Sequence, residues 1–302
     1  IGRGILADDI LQAFRAAGYT ITESDPFTDQ LRITLPPRER SPYVNRLHTN
    51  WQAMRDDILE HFPEPPGLPK DRDAYLKAVD DIYVTDAYHS LSIEGYRVSE
   101  ALIERVREGS WNPEDNDADR GQRDAMAARG YWLAFKAVKN SIEKILKEEN
   151  AGDVAADDHG DWYRALFGPS VEAGILKPGD LAGYRNDQVY IRNSRHVPLN
   201  KDAVLDCTPA LFDHLRKEEH PAVRAVLGHW VFVYIHPYMD GNGRMGRFLM
   251  NAMLASGGYP WTVIPVERRI DYMQALESAS VDSDIEPFAQ FLGGLVRDGK
   301  GM

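Results

Sequence analysis

Cysteine is nearly absent. The 302-residue chain has one, Cys207, so no disulfide can form within it, and a reducing, cytoplasmic setting is expected. Long apolar runs are missing too. The best, Val226 to Tyr238, is too short to span a bilayer and contains His229 and His236. The first residues show no signal-peptide pattern, and Ile1 in place of Met points to a natural start upstream. Positive charge is scarce: 35 Lys plus Arg against 47 Asp plus Glu leave a net charge of −12. Such a chain repels a phosphate backbone and an anionic membrane surface, so neither nucleic acid nor membrane is an expected partner. A nucleotide can still bind where cations and backbone N–H groups converge locally.

What is present is ordinary for a globular chain, with 43% apolar and 27% charged residues and a length suited to one or two domains. Ile5, Ile10, Leu11 and Phe14 predict a helix, and Leu31 to Leu35 alternates like a strand. These read as a short α/β fragment over 1–39. Pro36 to Pro42 and Pro63 to Pro69 read as breaks. Beyond them the pattern is helical. Val84, Tyr88 and Leu91 follow a helical period, as do Ala125, Ala128, Trp132, Phe135, Val138 and Ile142. Val223, Val226, Leu227, Trp230, Val231 and Tyr234 do the same behind Pro221, a first-turn proline. Leu249, Ala252 and Met253 mark another helix, stopped at Gly257-Gly258, and two more are expected over 267–278 and 285–296. The exception is Gln188 to Arg192, followed by Asn193-Ser194 and His196-Val197-Pro198, which reads as a short β-hairpin.

The chemistry lies between two of these helices, in His236-Pro237-Tyr238-Met239-Asp240-Gly241-Asn242-Gly243-Arg244-Met245-Gly246-Arg247. Pro237 ends one helix and leaves His236 aimed at the loop. Gly241 and Gly243 permit positive φ and close backbone approach. The next helix presents unpaired N–H groups and the positive end of its dipole, an anion cradle suited to phosphate. Arg244 and Arg247 share one face of that helix. Asp240 is a hard oxygen ligand suited to Mg²⁺, and His236 titrates near neutrality. Any one of these residues fits a plain polar link between helices. Together they describe transfer of a phosphate-containing group to a hydroxyl.

The segment resembles the signature of the Fic (filamentation induced by cAMP) family, His-Pro-Phe-x-[Asp/Glu]-Gly-Asn-Gly-Arg-x-x-Arg. Its seven fixed letters recur by chance at about one start in 10⁹. Tyr238 stands where the family usually has Phe, and its ring is expected to pack inward. The resemblance implies AMPylation, the transfer of AMP from ATP to a Ser, Thr or Tyr hydroxyl of a target protein. By position, His236 is then the general base and Asp240 the Mg²⁺ ligand. Asn242, with the Gly241 and Gly243 backbone, holds the α-phosphate region. Arg244 contacts the β- and γ-phosphates, and Arg247 the γ-phosphate. A phosphate-transferring relative carries Lys at the place of Gly243, so glycine there favours the nucleotidyl branch.

Ser90-Leu91-Ser92-Ile93-Glu94-Gly95 alone is a helix end. Beside the signature it is similar to the inhibitory motif [Ser/Thr]-x-x-x-Glu-[Gly/Asn], whose glutamate pairs with the second arginine, here Arg247. Ser90, Glu94 and Gly95 therefore mark an N-terminal, intramolecular inhibitory helix. The hairpin with Val189, Tyr190 and Ile191 takes the place of the family's flap, which docks an extended target segment by strand addition. The other histidines show no metal-ligand spacing. His229 reads as a packing residue, Cys207 as an inert thiol, and Glu267-Arg268-Arg269 as a solvated helix start.

The expected fold is all-α: a Fic-type helical core over 115–297 with a small β-hairpin flap, a helical N-terminal region over 40–114, the α/β fragment over 1–39 and a tail over 298–302. The expected function is an autoinhibited protein adenylyltransferase using ATP and Mg²⁺, acting on an unidentified protein or on itself; a homodimer is left open. Three alternatives remain: removal of AMP with Glu94 positioning water, transfer of another nucleotide, and a non-catalytic nucleotide- or DNA-binding regulator. The last conflicts with the complete His236, Asp240 and Arg244 set and with the charge of −12.

Overall fold

The computed structural model describes Gln12 and residues 41–110 and 123–299. The chain divides into two units, Ile1–Pro36 and Pro37–Met302, and the second is described here. The expected helix and strand within 1–39 and the boundary at 114–115 lie outside the described residues.

Proline and polar caps set where the helices begin. Pro42 opens α1 (Pro42–His61), and Pro221 opens α7 (Pro221–Ile235) at the position where a missing N–H costs nothing. Asp71 caps α2 (Arg72–Ile93) by accepting from the Ala74 N–H at 2.9 Å. Ser99 caps α3 (Glu100–Glu108) in the same way. Asn150 and Asn200 cap α5 (Ala151–Glu172) and α6 (Lys201–Lys217). Between α3 and α5 lies α4 (Arg123–Leu146). After the signature loop come α8 (Asn242–Ala255), α9 (Arg269–Glu277) and α10 (Glu286–Gly299).

The core forms around α7 and α8. Every α8 residue except Gly243 is buried, as are Val226, Leu227, Trp230, Phe232 and Ile235 of α7. A helix apolar on most sides must be surrounded, and here α1, α2, α4, α5, α6 and α10 surround the pair. At the tightest crossing, Gly130 of α4 lies so close to the Leu166 carbonyl of α5 that a Cβ there would overlap it. One continuous apolar cluster runs from Val44 to Val296, so the 40–114 segment shares its core with the rest.

The all-α expectation holds, but no β-strand occurs among the described residues. The segment read as a hairpin is extended chain with a turn, in which the Ser194 N–H reaches the Ile191 carbonyl at 3.3 Å and Asn193 takes φ 63°. A ladder fails for a physical reason. Pro198 has no N–H to give, and side chains provide the partners instead. Gln188 Nε2 donates to the Pro198 carbonyl at 2.9 Å, while Ser194 Oγ and the Arg195 N–H donate to Glu277 of α9.

Candidate active site

The loop between α7 and α8 is built by its own sequence. Pro237 disfavours the right-handed helical region for the residue before it, and His236 adopts the left-handed region at φ 56° as the cap of α7. Such a conformation in a non-glycine residue is strained and persists only where its surroundings enforce it. The enforcing residue is Arg185, which is buried. Its Nε donates to the His236 carbonyl at 2.7 Å and its Nη1 to the Asp187 carbonyl at 2.7 Å. Its Nη2 reaches the carbonyls of Leu199 and Ile235, and its own N–H donates to Pro237 at 2.9 Å. One guanidinium thus fastens the 185–199 segment to the end of α7.

His236 Nδ1 lies 3.2 Å from the Val233 carbonyl. A carbonyl only accepts, so this nitrogen carries the proton and Nε2 keeps its lone pair. Burial pushes the imidazole below its ordinary value of 6.5, which keeps it neutral and able to take a proton at pH 7. Tyr238 packs inward as expected, 3% exposed and stacked on Tyr163 at 3.7 Å.

Asn242 closes the loop. Its side-chain oxygen accepts from the Tyr238 N–H at 2.9 Å, and its amide donates to the Tyr238 carbonyl at 2.8 Å. That side chain ties the loop to itself with one N–H and one oxygen lone pair, and the row of N–H groups opening α8 offers an anion further donors. Gly241 precedes them at φ 81°, with a Phe167 ring carbon where a Cβ would sit. Asp240 is 64% exposed on its side chain and accepts from the Gly241 N–H at 2.6 Å.

The two arginines differ in how they are held. Arg247 Nε donates to Ser90 Oγ at 2.8 Å, and its Nη2 donates to the Ser90 carbonyl at 3.0 Å and to Glu94 Oε1 at 2.7 Å. Burial alone would push the Glu94 carboxyl up, but the charge of Arg247, aided by Arg244, holds it below its ordinary range. Glu94 can approach this closely only because residue 243 is glycine: a Cβ there would overlap Glu94 Oε1. Arg244 is 1% exposed, and its Nε and Nη2 find no acceptor among the described residues. Its carboxylate neighbour, Asp240, lies 3.7 Å from Nη2.

The structure therefore gathers His236, Asp240, Gly241, Asn242, Gly243, Arg244 and Arg247 around one helix end and brings Ser90 and Glu94 to it from α2. Sequence reasoning missed Arg185, Tyr96 and Phe167, whose partners are distant in the chain and carry no local pattern. It also missed Asp86, a buried carboxylate that accepts from the Tyr131 hydroxyl at 2.6 Å and that burial pushes up to about 6. His229 is a packing residue as expected, bonded to Tyr272 at 2.7 Å. Arg269 is exposed, in keeping with a solvated helix start, and its Nε also donates to the Ile93 carbonyl at 2.8 Å. Cys207 is buried, which pushes its thiol up to about 12. No cluster of three or more metal-ligating side chains occurs among the described residues, and no described helix is long and apolar enough to cross a membrane.

Comparison with known proteins agrees with this geometry. The chain is 29% identical over 290 residues to a protein adenylyltransferase Fic of Nematostella vectensis, covering 94% of this chain and 62% of the relative. It is 29% identical over 271 residues to the protein of that name from Drosophila melanogaster, covering 86% and 51%. It thus spans only about half to three fifths of the length of these relatives. Among solved structures it resembles Fic-1 (aa134–508) from C. elegans, with a TM-score of 0.61 and 22% identity over 84% of this chain and 70% of that one. A Fic family protein from Desulfovibrio desulfuricans G20 gives 0.56 and 22% over 88% and 75%. Residues 154–254, which run from α5 through the signature loop and nearly to the end of α8, match the Fic/DOC family. The chain thus carries, over those residues, a domain of the Fic/DOC family.

Proposed function

We propose that this chain is an autoinhibited protein adenylyltransferase that moves AMP from ATP to a protein hydroxyl. The observation that carries the reading is an imidazole with a free Nε2 beside a helix N-terminus, next to a buried Arg244 whose donors lack acceptors. In this reading the α8 N–H groups face the α-phosphate, and Arg244 offers Nε and Nη2 to the β- and γ-phosphates. Arg247 receives the γ-phosphate once Glu94 leaves. His236 Nε2 takes the proton of the acceptor hydroxyl, the oxygen attacks the α-phosphorus, the bond to the β-phosphate bridging oxygen breaks, and pyrophosphate departs.

Magnesium fits as an ion that arrives with ATP. A single exposed carboxylate, Asp240, suits a cation that keeps its waters and takes phosphate oxygens, and its charge neutralises the polyphosphate. The extended 188–192 segment, with Tyr190 77% exposed, serves as the docking edge for the target chain. Residues 115–297 act as the catalytic core and 40–114 as its regulator, in a cytoplasmic setting that suits a lone buried thiol. In the resting state Glu94 occupies the Arg247 fork that the γ-phosphate requires, so the intact chain is nearly silent.

The test is intact mass spectrometry after incubation with ATP and Mg²⁺. Glu94→Gly should raise AMP incorporation about tenfold or more, since displacing a bound competitor worth about 1.4 kcal/mol already changes occupancy by that factor. His236→Ala in the same background should remove it. Equal incorporation in the intact chain and Glu94→Gly would refute autoinhibition, and none in either would refute the transferase reading.

A further inference from the structure

The turn that ends α2 delivers two side chains, not one. Gly95 at φ 86° closes a Schellman cap: the Gly95 N–H reaches the Ser92 carbonyl at 3.0 Å and the Tyr96 N–H the Leu91 carbonyl at 3.1 Å. That geometry sets Glu94 on Arg247 at 2.7 Å. It also sets the Tyr96 ring 5.1 Å from the guanidinium carbon of Arg244, which lies 5.0 Å from the Phe167 ring as well. A further cation, Arg123 at the start of α4, lies 5.1 Å from the same Tyr96 ring.

The two arginines are thus held by opposite chemistry. Arg247 is held by acceptors on its Nε and Nη2, the side-on pair, and only its Nη1 is left without one among the described residues. Arg244 is held by rings, and a cation–π contact grips the charge without consuming a donor. Its Nε and Nη2, the pair that forms a side-on fork, stay unpartnered in a buried place. A fork so held is oriented in advance for a phosphate oxygen pair.

We propose that Tyr96 is a positioning residue, holding the Arg244 fork toward the β- and γ-phosphates of a bound nucleoside triphosphate. The inhibitory turn then has a constructive half. Glu94 blocks one arginine, while Tyr96, two residues on, prepares the other. The inference rests on the nucleotide reading of the site.

The test uses the full chain carrying Glu94→Gly alone, with Tyr96→Phe, and with Tyr96→Leu, titrated calorimetrically with ATP and with AMP in the presence of Mg²⁺. Phenylalanine keeps the ring, whereas leucine keeps bulk without it. Tyr96→Phe should bind ATP within about twofold of Glu94→Gly, and Tyr96→Leu about 3- to 30-fold more weakly, the range of one partly desolvated cation–π contact. AMP, which lacks the outer phosphates, should bind all three alike. A parallel loss of ATP and AMP, or a leucine variant that matches phenylalanine, would overturn the role of Tyr96 and leave the transferase proposal standing. If Glu94→Gly itself binds neither nucleotide, the site reading fails and this inference with it.

Discussion

Glu94 and His236 titrate in ways that bear on activity. Glu94 is held below its ordinary range by Arg247 against the effect of burial, so its ion pair persists above the unfolded carboxyl value of about 4.3 and breaks only as pH falls through the lower folded value. The ratio of AMP incorporation between Glu94→Gly and the intact chain should therefore be the same at pH 6 and pH 8. A ratio that collapses across that interval would mean that some other group holds the block. His236 is pushed down by burial, so the acid limb of the Glu94→Gly activity profile should lie below pH 6.5, and a limb above it would contradict the assignment of the base. The places of these two residues, from which the proposed roles follow, were legible in the sequence, since twelve consecutive letters and a helix-ending Glu-Gly carry them. The tautomer of His236 was not, because it depends on the carbonyl of Val233.

Between elements, two contacts decide how well the site is held. The first is the α4–α5 crossing at Gly130, where a Cβ would overlap the Leu166 carbonyl. Gly130→Ala should force the helices apart and lower stability by roughly 1–3 kcal/mol, measured as a drop in the urea midpoint; an unchanged midpoint would show that the crossing relaxes freely. The second is Arg185, which joins the 185–199 segment to the end of α7 through backbone carbonyls. In the Glu94→Gly background Arg185→Lys should lower kcat about tenfold or more while ATP affinity stays within about twofold, because a single ammonium cannot reproduce a planar fork. Loss of both together would assign Arg185 to folding alone. Several helices were legible from their apolar period, and Pro221 stands where α7 begins, whereas Asp71 and Asn200 show themselves as caps of α2 and α6 only in the structure. The hairpin was misread because alternating residues around Asn193-Ser194 carry a strand signal, while the partners that replaced the ladder, Glu277 and the Gln188 side chain, are invisible to local pattern.

For the whole molecule, acid should destabilise the fold. Burial pushes His214 and His229 down to about 4 each; His214 faces His48, Lys217, Asp213 and Glu218, and His229 faces Arg247 and Glu94. The unfolded chain takes up those protons near pH 6.5 and the folded chain does not, so stability is lost as pH falls from about 6.5 toward 4, on the order of 1–3 kcal/mol per histidine. Asp86, pushed up to about 6 by burial, works the other way and offsets part of that loss. The thermal midpoint should fall between pH 7 and pH 4.5, and a rise would show that Asp86 outweighs both histidines. The sequence by itself determined the helical class, the positions of several helices and which residues share the signature loop, because period and motif are local and need no knowledge of the rest of the chain. Only the tertiary structure decided that Glu94 meets Arg247, that rings rather than acceptors hold Arg244, and that Arg185 anchors the end of α7. These pairs are far apart in sequence, and burying the faces of α2, α7 and α8 in one core is what makes them neighbours.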